Sequence, residues 1–138
     1  MQRGLVITSG VFDLFHVGHL RFLQSASLLG RWLFVALNDD ESVQELKGPT
    51  RPIIPYADRC ELIGSVPCVD AIIEYDGDIA DLLEYWQPEI FVKGSDWRGK
   101  KIFEEKLVQQ YGGRVEYVDS SGPHTSDIIQ QIKKKGDS

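Results

Sequence analysis

Short β-rich runs alternate along this chain with longer stretches of helical periodicity, and few architectures accommodate that alternation. Leu5-Val6-Ile7-Thr8, Trp32 to Leu37, Ala71-Ile72-Ile73, Glu89 to Val92 and Arg114 to Val118 read as five strands. Leu20 to Leu29, Asp39 to Leu46, Pro55 to Val66, Ile79 to Trp86, Lys101 to Tyr111 and Thr125 to Lys134 read as helices. Pro55 suits a helix start, while Gly30 and Gly112-Gly113 are read as helix ends. Strands joined through helices imply right-handed crossovers. The expected fold is therefore a three-layer α/β/α domain, with a five-stranded, mainly parallel sheet covered on both faces. No internal repeat or linker interrupts the 138 residues, so residues 1–138 are read as one domain. Lys133 to Ser138 is expected to be a frayed polar tail.

Composition narrows the function. Hydrophobic residues make up 42% and charged residues 26%, values that suit a soluble globular protein and exclude disorder over most of the length. Fifteen basic against 21 acidic side chains give a net charge of −6, the wrong sign for a binder of nucleic-acid backbone. Near the N-terminus the longest apolar stretch is Leu5-Val6-Ile7, short of a signal-peptide core of about 7–15 residues. No run approaches the roughly 18 apolar residues of a membrane span. Cys60 and Cys68 make neither a disulfide framework nor a zinc site, and are expected in or near the core. The expectation is a cytoplasmic protein with neither nucleic acid nor membrane as partner.

In such sheets ligands bind beyond the carboxyl ends of the strands, which directs attention to residues 8–19, 38–51, 74–78, 93–100 and 119–126. The first of these contains Gly10-Val11-Phe12-Asp13-Leu14-Phe15-His16-Val17-Gly18-His19. It follows a strand and opens a helix, where free amides and the helix dipole attract anions. His16 and His19 are three apart and so share a helix face. Gly18 between them leaves the backbone open to a phosphate. Two imidazoles able to donate to phosphoryl oxygens suit a transferring nucleotidyl group. The competing reading makes one of them a helix cap or core residue. Neither the Walker loop nor the Gly-x-Gly-x-x-Gly fingerprint is present.

Gly10-Val11-Phe12-Asp13 followed by His16-Val17-Gly18-His19 resembles the signature of the cytidylyltransferase-like nucleotidyltransferases. Further matches follow in order: Leu46-Lys47-Gly48, Arg51-Pro52, Arg59, Val69-Asp70, Val92-Lys93-Gly94-Ser95-Asp96-Trp97 and Thr125-Ser126. The resemblance implies a Rossmann-like domain that carries a nucleotidyl group from a nucleoside triphosphate to a phosphorylated sugar or polyol. Leu46-Lys47-Gly48, Arg51-Pro52 and Val92-Lys93-Gly94 are similar to the adenylyltransferase domain of bacterial ADP-heptose synthase, which implies ATP and heptose 1-phosphate. Asp96-Trp97-Arg98-Gly99-Lys100 is closer to glycerol-3-phosphate cytidylyltransferase, which implies CTP. Asp119-Ser120-Ser121-Gly122 lacks the Arg that the glycerol enzymes carry there, and so favours the heptose side. Both groups have Ser-Thr-Thr where this chain has His124-Thr125-Ser126.

The resemblance implies roles for named residues. His16, His19 and Lys47 neutralise charge at the transferred phosphorus. Val11, Phe12, Asp13, Gly18, Lys93, Gly94, Asp96, Trp97, His124, Thr125 and Ser126 line the nucleotide. Arg51 and Arg59 hold the acceptor phosphate, since a guanidinium fork matches phosphate oxygens. A solvated lysine at 47, a helix-surface salt bridge at 59 and a packed Trp97 are the competing readings. Asp13 is also expected to order the histidine turn. Magnesium is expected with the triphosphate, held by phosphates and water, with no protein metal site. A homodimer is implied as well. From another class, a nucleotide-binding regulatory module without turnover competes, because His124 replaces a hydroxyl.

Overall fold

The structure, a computed structural model, describes residues 1–100, 102–119 and 125–136, with residues 125–127 as backbone only. In chain order the elements are β1 (Gln2–Gly10), α1 (Val17–Ser27), β2 (Trp32–Asn38), α2 (Asp40–Lys47) and α3 (Tyr56–Gly64). Then follow β3 (Ala71–Tyr75), α4 (Ile79–Trp86), β4 (Pro88–Gly94), α5 (Phe103–Gln109), β5 (Arg114–Val118) and α6 (Thr125–Gly136). The five strands lie in the order β3-β2-β1-β4-β5, and every neighbouring pair is parallel. This is the expected Rossmann-like architecture.

Strand β1 explains why both faces are covered. Neighbouring residues on a pleated strand point to opposite sides. Val6 enters a cluster with Phe22, Leu23 and Ala26 of α1 and Ile63 of α3. Leu5 and Ile7 enter another, with Leu82 and Leu83 of α4 and Val108 of α5. Val6 and Ile7 are fully buried, each worth roughly 1.5–3 kcal/mol of apolar burial. A polar residue at either position would face one of the two helical layers, which is why the run reads as continuously apolar. Cys60 and Cys68 are half-buried against the first cluster, near the core as expected.

The order of the strands positions the site. From β1 the chain builds outward through β2 to β3, then returns to place β4 and β5 on the other side. The direction reverses between β1 and β4, and ligands of open α/β sheets bind in the crevice beyond the carboxyl ends at such a reversal. Just beneath it, the buried Thr8 hydroxyl donates to the Val92 carbonyl at 3.0 Å and joins the two strands. The loops following β1 and β4 therefore leave the sheet side by side.

Three details differ from the sequence expectation. The segment after β4 is not all loop, since Ser95–Trp97 form a short 3-10 turn. Helix α6 runs on to Gly136, through the lysines where a frayed tail was expected. Gly30 does not take the left-handed conformation of a helix-ending glycine; α1 ends in right-handed geometry on Leu28. A Cβ at position 30 would lie 2.6 Å from Val6 Cγ2 and 2.7 Å from the Gly4 carbonyl oxygen. Glycine is needed there because the chain passes β1 at close quarters. Gly30→Ala is expected to cost about 1–3 kcal/mol, as an overpacked core position does. The measurement is the urea midpoint, and an unchanged midpoint would contradict the crowding. Among the described residues no helix is long and apolar enough to cross a membrane.

Candidate active site

The loop after β1 is strained and held. Phe12 and Leu14 have φ of 49° and 50°, left-handed values that cost a non-glycine residue on the order of 1–3 kcal/mol each. Asp13 between them supplies the compensation. Its buried carboxylate accepts from the amides of Leu14 (3.1 Å), Ile53 (2.7 Å) and Ile54 (2.9 Å), and from Arg51 Nε (3.3 Å). Phe12 is buried, and its ring occupies the space above Gly10. A Cβ on Gly10 would lie 2.7 Å from that ring.

The strained turn delivers two histidines to the start of α1. His16 is the N-cap, and its Nδ1 accepts the Gly18 amide at 3.0 Å. His19 answers it, because its Nδ1 accepts the His16 amide at 3.2 Å. A nitrogen that accepts carries no proton, so each neutral ring is assigned its hydrogen on Nε2. The rings stack at 3.8 Å between centroids, 24° apart. Two positive rings that close would repel by about 4 kcal/mol at an effective dielectric near 20. The stacked geometry therefore suits two neutral rings with the hydrogen on Nε2. Phe15 stacks on His19 at 5.6 Å and Phe12 meets it edge-on at 5.3 Å, which fixes the ring plane. Capping and phosphate chemistry were alternatives in the sequence; here Nδ1 of each ring takes a backbone amide at the start of α1. Gly18 is buried, and its amide, expected to meet a phosphate, is bound to His16.

The segment after β2 is folded against this turn. Lys47 ends α2, exposed to solvent, and Gly48 turns the chain at φ 105°. Arg51 then reaches Asp13, with only 11% of its side chain exposed. Arg59 departs furthest from expectation. Its side chain has no exposure, and its guanidinium is spent on Ile54, Val11, Asn38 and Asp40. In this structure it has no face to offer an acceptor phosphate, and it is not a surface salt bridge either.

Across the crevice, Lys93 lies 3.6 Å from Glu104 and its ammonium sits 4.5 Å above the Trp97 ring. Lys100 approaches the same ring at 5.5 Å. Trp97 is 43% exposed, so it is not packed beneath its loop. Gly94 ends β4 and Asp96 is exposed in the 3-10 turn. Arg98 donates to the Tyr117 carbonyl at 3.1 Å, and the Tyr117 hydroxyl donates to Glu105. That bond pushes the phenol up to about 12, helped by burial, so Tyr117 stays a neutral donor near pH 7. Thr125 and Ser126 open α6 as expected, but their side chains and His124 lie outside the described residues.

Sequence reading missed the partners of Asp13 and Arg59. The only local signal was Ile53-Ile54 between two prolines, an apolar pair in an otherwise polar loop.

Comparison with known proteins identifies the family and supports the fold. The family described as cytidylyltransferase-like matches residues 7–134. The bifunctional protein HldE of Syntrophotalea carbinolica is 41% identical over 130 residues, 93% of this chain and 26% of the relative. That of Geotalea uraniireducens is 43% identical over 131 residues, 94% of this chain and 27% of the relative. The chain thus spans about a quarter of the length of these relatives. Among solved structures, the lipopolysaccharide core biosynthesis protein of Thermoplasma volcanium superposes with a TM-score of 0.69 at 29% identity, covering 87% of this chain and 98% of that one. A strained turn that presents paired histidines at the switch point, together with a family match over almost the whole chain, makes this protein a nucleotidyltransferase of the cytidylyltransferase-like family.

Proposed function

We propose that this domain transfers the adenylyl group of ATP to a heptose 1-phosphate. An oxygen of the sugar phosphate attacks the α-phosphorus, the bond from that phosphorus to the bridging oxygen breaks, and pyrophosphate leaves. No side chain acts as nucleophile. His16 and His19 donate from Nε2 to the oxygens that gain charge, and Lys47 and Arg51 add positive charge from the neighbouring segment. Lys93, Gly94, Asp96 and Trp97 form the opposite wall for the nucleotide, with Thr125 and Ser126 at the α6 start. Arg59 is withdrawn from the phosphate contacts, being enclosed.

The observation that carries the chemistry is the stacked histidine pair whose Nδ1 atoms are both taken by backbone amides. The Lys47-Gly48, Arg51-Pro52 and Lys93-Gly94 matches favour ATP and a heptose, as does identity of about 40% to proteins named HldE. Magnesium belongs to the same proposal, arriving with the triphosphate and screening its charge. Among the described residues no group of three or more His, Cys, Asp or Glu converges on a metal position, and Asp13 is committed to amides and Arg51. Carried by phosphate oxygens and water, the metal would need no protein cage. A cytoplasmic homodimer completes the reading.

A second reading, CTP with glycerol 3-phosphate, draws on Asp96-Trp97-Arg98-Gly99-Lys100. Pyrophosphate release separates the two when ATP and CTP are crossed with heptose 1-phosphate, glycerol 3-phosphate and phosphocholine. A pocket paired to one base's edge rejects the other strongly, because the wrong base leaves buried polar groups unpaired. The highest rate is expected for ATP with heptose 1-phosphate. A preference for CTP of about tenfold or more would overturn the heptose assignment. Nucleotide binding with no release from any pair would mark a regulatory module instead.

A further inference from the structure

Arg59 is 1% exposed, yet it lies in a helix, α3, whose other face is solvated. Its Nε donates to the Ile54 carbonyl at 2.9 Å. One terminal nitrogen donates to the Val11 and Asn38 carbonyls at 2.8 Å each, and the other to Asp40 Oδ1 at 2.8 Å. These acceptors come from three separate segments. Val11 begins the turn that carries His16 and His19. Asn38 and Asp40 flank the start of the helix that ends in Lys47. Ile54 closes the loop that carries Arg51. The Tyr56 ring stands 5.7 Å from the guanidinium and helps hold it in place.

Burying a charge costs several kcal/mol, and an apolar side chain of similar volume often packs as well or better. Here the charge is spent on loop ends at the carboxyl edge of the sheet, beside a residue with strained φ at Phe12. We infer that Arg59 is a positioning residue for nucleotidyl transfer: one guanidinium holds the histidine turn, the α2 start and the Arg51 loop in a single arrangement. The inference rests on the proposed roles of His16, His19, Lys47 and Arg51. Lysine cannot replace it, because a single ammonium lacks the fixed fork that reaches acceptors on several sides.

The test uses Arg59→Lys and Asp40→Ala. Asp40 is 44% exposed at its side chain, so its removal loosens the fork without emptying the core. In Arg59→Lys, kcat for pyrophosphate release should fall about tenfold or more, with KM for the triphosphate within about threefold, since misplaced groups cost transition-state contacts first. Asp40→Ala should show the same pattern at about three- to tenfold, and decides the matter if Arg59→Lys does not fold. A second readout needs no turnover. The imidazole carbon–proton resonances of His16 and His19 should shift in both variants, while amide resonances within β1 and β4 stay in place.

Unmoved imidazole resonances would overturn the inference. So would full kcat at a temperature where circular dichroism shows complete folding, which would leave Arg59 a stability residue. A raised KM for the acceptor with kcat preserved would return it to direct phosphate binding. If the wild-type protein releases no pyrophosphate from any substrate pair, the proposed function falls, and the resonances still decide whether Arg59 positions the turn.

Discussion

Replacing His16 or His19 with alanine is expected to lower turnover by about two to three powers of ten, the scale for losing one pre-organised donor to a developing oxyanion. The two ring nitrogens of each residue have different tasks, so the effect can be divided. Nδ1 of His16 caps α1 through Gly18, and an N-cap of this kind is worth about 1 kcal/mol. Nε2 carries the hydrogen that, in the proposed mechanism, is donated to phosphate. Asparagine carries its amide oxygen near the position of Nδ1 and ranks among the best caps, but it has nothing at the position of Nε2. His16→Asn should therefore melt within a degree or two of wild type, in proportion to a retained cap, and be as slow as His16→Ala. Wild-type turnover in the asparagine variant would reduce His16 to a capping residue and sink the donor mechanism. His19 is tested in the same way, with Phe12 and Phe15 keeping its neighbourhood filled in either variant.

The layered sheet was legible because its signal is local. Val6 and Ile7 face opposite helical layers, so β1 reads as an unbroken apolar run, and the helices between strands enforce parallel pairing. The histidine turn was legible for a similar reason, since its residues sit within ten positions of one another. The partners that hold it were not. Asp13 meets Ile53 and Ile54 from about forty residues away, and Arg59 meets Val11 across 48. No periodicity records such pairs. An arginine in an amphipathic helix reads as solvated, and only the converging carbonyls of three loops show why this one is inside. Gly30 misled for a related reason. A glycine after a helix suggests a left-handed cap, whereas the need comes from a distant strand passing 2.6 Å from its missing side chain.

Asp13→Ala is expected to have the largest effect on folding of any single change at the site. The carboxylate is fully enclosed, with no side-chain exposure, and accepts from three amides and one guanidinium. Removing it strands donors in both the histidine turn and the loop bearing Arg51. Breaking a buried pair of this kind costs about 3–5 kcal/mol, to which each unsatisfied buried amide adds. It also releases the left-handed residues Phe12 and Leu14 from the contact that makes their strain tolerable. Against a typical total stability of about 5–15 kcal/mol, the variant should be marginal at 37 °C. Asp13→Asn is the informative companion. It keeps the shape and one acceptor oxygen, but turns an NH2 group toward amides that themselves donate. It should fold, with a urea midpoint between those of wild type and alanine, and its turnover should fall further than its stability does. That disproportion is expected because Asp13 joins the turn bearing the histidines to the loop bearing Arg51, and an error of about 1 Å between them costs on the order of a hundredfold. Unfolding by urea, followed alongside pyrophosphate release at a temperature where the asparagine variant is fully folded, separates the two effects. An asparagine variant with both wild-type stability and wild-type turnover would show that the Asp13 contacts hold neither the fold nor the site.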